Sequence, residues 1–144
     1  PDFTALKTDL SEAKLSDYNG KTVVLASVPS LDTSVCATET RQFNEEATKF
    51  GDDVVVLTLS MDLPFAQARW CGNEGVDNVE ALSDHRDASF GEAYGVLIKE
   101  LRLLARAVFV VAPDGKLAYK QLVSEVTDEP DYDDVIQAVG KARG

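Results

Sequence analysis

A chain of 144 residues with 44% hydrophobic and 27% charged side chains is long enough to bury one core and has an ordinary globular composition. Its 25 acidic residues against 14 basic ones leave a formal net charge of −11, which argues against a nucleic-acid partner, since phosphate backbones demand clustered Lys and Arg. Two cysteines, one histidine and no CxxC pair argue against a disulfide-stapled secreted domain and against a zinc site.

No apolar run approaches the roughly 20 residues a membrane span needs, and no charged-then-apolar signal stretch opens the sequence. A cytoplasmic location is the expectation, with neither membrane nor nucleic acid as partner. Without a repeat, low-complexity tract or linker, residues 1–144 are expected to form a single domain.

In chain order, Phe3 to Thr8 is a candidate first strand, followed by a polar stretch from Asp9 to Asp17 and a turn at Asn19-Gly20. The run Thr22-Val23-Val24-Leu25-Ala26-Ser27 is continuously apolar and β-branched, as in a central strand covered on both faces. Ala37 to Phe50 has helical periodicity. Cys36, Thr40, Phe43 and Ala47 share its inner stripe, while Glu39, Glu45, Glu46 and Lys49 are assigned to the outer side. Cys36 is thereby half-sheltered in the first turn.

Val54 to Ser60 repeats the buried-strand pattern, and Asp62-Leu63-Pro64 opens a helix that reaches Cys71 and is broken by Gly72 and Gly75. A further helix is expected over Asp87 to Tyr94. Arg106 to Val111 reads as a strand, joined by the turn Ala112-Pro113-Asp114-Gly115-Lys116 to an antiparallel partner from Leu117 to Val123. Tyr132 to Ala142 closes the chain as a helix. The order β, β, α, β, α, α, β, β, α predicts an α/β architecture, a thioredoxin-like fold with a central mixed β-sheet flanked by helices. In open α/β sheets the usual site lies beyond the carboxyl ends of the strands, which here means the loop from Pro29 to Cys36.

A thiol at a helix start meets unpaired backbone N–H groups and the positive end of the helix dipole, so Cys36 is a candidate thiolate nucleophile. Thr33, three residues earlier, can bring a hydroxyl beside the sulfur or a bound oxygen. Arg106 stands in an otherwise apolar segment, where an arginine is costly unless paired. It either serves the site or makes a salt bridge with an acidic residue at the sheet edge. Cys71 either forms a reversible disulfide with Cys36 or is an unrelated buried thiol. His85 reads as a loop residue, and Trp70 as core or as cover for Cys71.

The pattern Pro29-x-x-x-Thr33-x-x-Cys36 resembles the active-site motif of the peroxiredoxins. The wider strings SVPSLDTSVC, TRQFNEEA, SMDLPFAQARWCG, LLARAVFVV and EPDYDDVIQAV resemble the bacterial thiol peroxidases, the atypical two-cysteine branch of that family, over nearly the whole chain. The resemblance implies that Cys36 is the peroxidatic cysteine and Cys71 the resolving one. It implies that Thr33 and Arg106 bind and polarise the peroxide, and that Pro29 shapes the pocket. It further implies a homodimer, thioredoxin as reductant and no cofactor. Two departures are Ser34, where the family carries glycine or proline, and the family's amino-terminal hairpin, which is not found ahead of Pro1. Other readings stay open: a thioredoxin-fold protein passing electrons through the cysteine pair, or a non-catalytic binding domain with inert thiols.

Overall fold

A computed structural model of the chain describes residues 2–31, 34–47, 50, 53–74, 79–123 and 129–143. Its elements are β1 (Thr4–Leu6), β2 (Glu12–Lys14), a 3-10 turn (Leu15–Tyr18), β3 (Thr22–Ser27), α1 (Ser34–Ala47), β4 (Val54–Ser60), α2 (Pro64–Glu74) and β5 (Glu80–Ser83). There follow α3 (Ser89–Ala93), β6 (Leu97–Ile98), β7 (Leu103–Leu104), β8 (Ala107–Val111), β9 (Leu117–Leu122) and α4 (Tyr132–Arg143). Among the described residues, seven strands form one sheet in the order β2-β1-β5-β4-β3-β8-β9, with β6 and β7 paired apart from it.

The sheet is mixed. β3 runs parallel to β4 and β4 to β5, whereas β8 is antiparallel to both β3 and β9, and β1 is antiparallel to β2 and β5. Parallel neighbours need crossovers, and α1 and α2 supply them. Every residue of β3 is buried, as its unbroken apolar run requires. Side chains alternate between faces: Val23, Leu25, Leu57, Leu59 and Phe109 join Phe3 and Phe90 on one side. Val24, Ala26, Val56, Val108 and Val110 pack on the other side with Phe43 of α1 and with Val135 and Val139 of α4.

The turn after β8 is closed by Gly115 at φ 85°, whose amide donates to the Ala112 carbonyl at 2.9 Å. The Lys116 amide donates to Asp114 Oδ1 at 3.0 Å, the side-chain-to-backbone bond that favours Asp at such a turn.

Strands β3 and β4 take the bounds read from sequence, and the hairpin and final helix stand where expected. Four expectations are corrected. β1 is shorter than Phe3 to Thr8, and the polar stretch after it contains β2, anchored by fully buried Ala13. β5, β6 and β7 were missed, being only four and two residues long. α1 begins at Ser34, before Cys36 and not after it. α2 continues past Gly72 to Glu74, so Cys71 sits within the helix and not at its end. One glycine weakens a helix by about 1 kcal/mol, too little to stop one that packs on the sheet.

Candidate active site

The register of β3 on β8 builds the site. Ser27, the last residue of β3, lies opposite Ala107, so the residue before Ala107 comes level with the carboxyl end of β3. That residue is Arg106. The Ser27 hydroxyl donates to the Ala105 carbonyl at 2.7 Å and the Val28 amide to the Leu59 carbonyl at 2.9 Å, fixing both chains where the loop to α1 departs.

Cys36 is the third residue of α1 and is fully buried, not half-sheltered. Arg106, only 2% exposed, donates from Nη2 to Cys36 Sγ at 3.1 Å and from Nη1 to Glu39 Oε1 at 2.9 Å. One guanidinium thus bridges a thiol and a carboxylate one helical turn apart, positions that share a face. The Thr40 hydroxyl donates back to the Cys36 carbonyl at 2.8 Å, tying the cysteine into the helix backbone.

Glu39 is the largest correction. Assigned from sequence to the outer side of its helix, it is 0% exposed, and its Oε2 has no hydrogen-bond partner among the described residues. Glu46, placed on the same outer side, is also largely buried at 9% exposure. Both fall on the Cys36 stripe, Glu39 at i+3 and Glu46 at i+10, so spacing alone carried the signal. Burial drives the Glu39 carboxyl up to about 7, against the hydrogen bond and charge of Arg106, which pull it down. Burial opposes the Arg106 charge too, yet Glu39 and then Cys36 outweigh it and hold the guanidinium above its ordinary value. The two readings of Arg106 are therefore not exclusive: it makes a buried salt bridge and also contacts the thiol.

Val28, Leu31, Cys36 and Ala81 form a small apolar cluster, against which Trp70 and Cys71 pack. Neither cysteine is in a disulfide; Cys36 is buried and Cys71 partly exposed. Cys71 also lines a cavity of about 610 Å³ with Lys7, Val55, Ala68, Val79 and Glu80. Pro29 is half-buried at the exit from β3, and His85 is a half-buried loop residue whose amide meets Ser83 Oγ at 3.4 Å. Thr33 lies outside the described residues. The structure thus joins Cys36 directly to Arg106, brings Cys71 to the edge of the same cluster, and adds Glu39.

Comparison with known proteins bears on this arrangement. Residues 1–136 match the family model described as Redoxin. The chain is 59% identical over 138 residues to a thiol peroxidase of Bacillus subtilis, covering 96% of this chain and 82% of that protein. It is 57% identical over 142 residues to a thiol peroxidase of Listeria innocua, covering 99% and 86% respectively. Among solved structures, a peroxiredoxin-like protein from Aquifex aeolicus superposes with a TM-score of 0.91 at 43% identity, over 99% of this chain and 84% of that one. With its family-model match and these identities along nearly its full length, the chain belongs to the redoxin family and stands among its thiol peroxidases, peroxiredoxin-type oxidoreductases.

Proposed function

We propose that the chain reduces hydrogen peroxide and organic hydroperoxides through Cys36, with Cys71 as resolving thiol and thioredoxin as reductant. The observation that carries this reading is the Arg106 guanidinium, held by Glu39 and donating to the Cys36 sulfur. A guanidinium there is placed to stabilise charge as the O–O bond breaks. The thiolate attacks one peroxide oxygen and expels the other as alkoxide; with one proton taken up, the products are Cys36 sulfenic acid and ROH. The Cys71 thiol then displaces hydroxide from the sulfenic sulfur, giving a Cys36–Cys71 disulfide and water. A dithiol reduces that disulfide and becomes a disulfide itself.

Thr33 orients the peroxide through its hydroxyl in this reading, and Pro29 shields the pocket. The partial exposure of Cys71 and the cavity it lines support approach of the reductant from that side. Residues 1–144 act as one domain, in a cytoplasmic homodimer, without a cofactor. The deciding experiment follows peroxide loss in reduced protein. Cys36→Ser is expected to abolish consumption, and Cys71→Ser to permit a single turnover followed by arrest. Full turnover by Cys36→Ser would remove that thiol from the chemistry.

A further inference from the structure

Five residues ahead of Cys36, the Leu31 amide donates to Asp62 Oδ2 at 2.8 Å and the Ser30 hydroxyl donates to Asp62 Oδ1 at 2.7 Å. The Ser60 hydroxyl, at the end of β4, donates to Oδ2 at 2.9 Å. Both oxygens of one carboxylate are thus engaged, and among the described residues two of the three donors come from the loop that leads to Cys36. Asp62 stands two residues before Pro64, the first residue of α2, the helix that carries Cys71. An aspartate just ahead of a helix commonly caps it. This one turns away, to the loop.

The far end of the connection is equally tied. Gln67 of α2, fully buried and one turn ahead of Cys71, donates to Ser60 Oγ at 3.0 Å and to the Leu82 carbonyl at 2.9 Å. The Ser83 hydroxyl donates to the Asp62 carbonyl. Leu31, whose amide the carboxylate holds, puts its own side chain into the cluster that contains Cys36 and that Cys71 packs against.

Attack on peroxide requires Cys36 where Arg106 holds it. Disulfide formation requires the opposite, because the two sulfurs, not bonded to each other here, must meet at a distance of about 2 Å, and Cys36 Sγ must then leave the guanidinium. A contact that fastens the Cys36 loop to the root of the Cys71 helix favours the first step and resists the second. We propose that Asp62 is a positioning residue, a latch between that loop and α2 that sets the balance between peroxide attack and disulfide formation. This rests on the cysteine roles given above.

The competing fate of the sulfenic acid supplies the readout. A second peroxide converts Cys36–SOH to Cys36–SO₂H and releases ROH, while condensation with Cys71 releases water. In Asp62→Asn, the carboxylate charge that strengthens the hydrogen bonds from Leu31, Ser30 and Ser60 is lost, so the latch weakens. Reduced full-length protein is mixed with hydrogen peroxide, quenched at intervals and analysed by mass spectrometry. Asp62→Asn is expected to form sulfenic acid about tenfold more slowly, the scale of one lost charge-assisted hydrogen bond. It should also give less sulfinic acid at excess peroxide, because resolution is freed. Ser30→Ala, which deletes one loop donor, shifts both quantities the same way by less, and decides the matter alone should Asp62→Asn fail to fold. Wild-type values in both steps, or equal slowing of both, overturn the latch. If wild type itself yields no Cys36–Cys71 crosslink, the cysteine roles fail and the latch with them. A wild-type crosslink with unaltered variants sinks the latch alone.

Discussion

At Cys36 the local problem is to keep a charge beside a fully buried sulfur in a strongly acidic protein. Arg106 meets it, with Glu39 holding the guanidinium from the other side. Truncating Arg106 to Ala would leave Glu39 buried and unpaired, a change that costs about 3–5 kcal/mol in other proteins. Lysine in its place retains a charge but not a planar fork that reaches two partners. Arg106→Lys is therefore expected to stay folded and to lose at least about tenfold in peroxide rate, read by stopped-flow mixing with hydrogen peroxide. An unchanged rate would mean that charge alone suffices. Glu39 carries a second prediction. Its carboxyl is raised from an ordinary value of 4.5 to about 7, so between those limits the native state keeps a proton that the unfolded chain has released. Unfolding free energy must then fall as pH rises from about 4.5 to about 7. Urea unfolding at several pH values should show that decline in wild type and a shallower one in Glu39→Gln. Equal slopes would place the raised carboxyl elsewhere.

Elements differ in how far they explain themselves. β3 and β4 were legible residue by residue because burial on both faces leaves only apolar and β-branched choices. β5, β6 and β7 were not, since two to four residues cannot display a period. Their positions come from neighbours: α3 fits against β6 and β7 only through Gly91. A Cβ there would stand 2.8 Å from Leu104 Cδ2 and 3.1 Å from Leu97 Cβ. The Asp84 carboxylate meanwhile accepts the Phe90 and Gly91 amides at 3.0 and 2.8 Å, closing the helix start. Gly91→Ala is expected to destabilise the protein by about 1–3 kcal/mol through overpacking, measured by thermal or urea unfolding. The peroxide rate of the folded fraction should be unchanged, because Gly91 lies on the opposite face of the sheet from Phe43 of α1. Wild-type stability would show that Leu104 yields freely.

For the whole molecule, a net charge of −11 governs encounter more than chemistry. An anionic thiol should reduce the oxidised protein slowly at low ionic strength and faster as salt screens repulsion over about 10 Å near 0.1 M. A cationic aminothiol of similar reactivity should show the reverse. Comparing mercaptoethanesulfonate with cysteamine across a salt series tests this, and identical salt responses would mean that the surroundings of Cys71 are locally neutral. On the same scale, the sheet order brings α1, β8 and α2 to one place although Cys36, Cys71 and Arg106 are spread along the sequence.

By itself the sequence determined the class of fold, the central strands, the thiol at a helix start and the suspicion that an arginine in an apolar segment must have a partner. Those are local properties, set by period, propensity and the cost of burying charge. It did not determine that Arg106 meets both Cys36 and Glu39, that Glu39 faces inward, or that Asp62 reaches the loop ahead of Cys36. These depend on the β3–β8 register and on where the turn from β4 into α2 comes to rest. Only packing settles such distances, because a contact between residues 70 apart in the chain leaves no mark on either residue's neighbours.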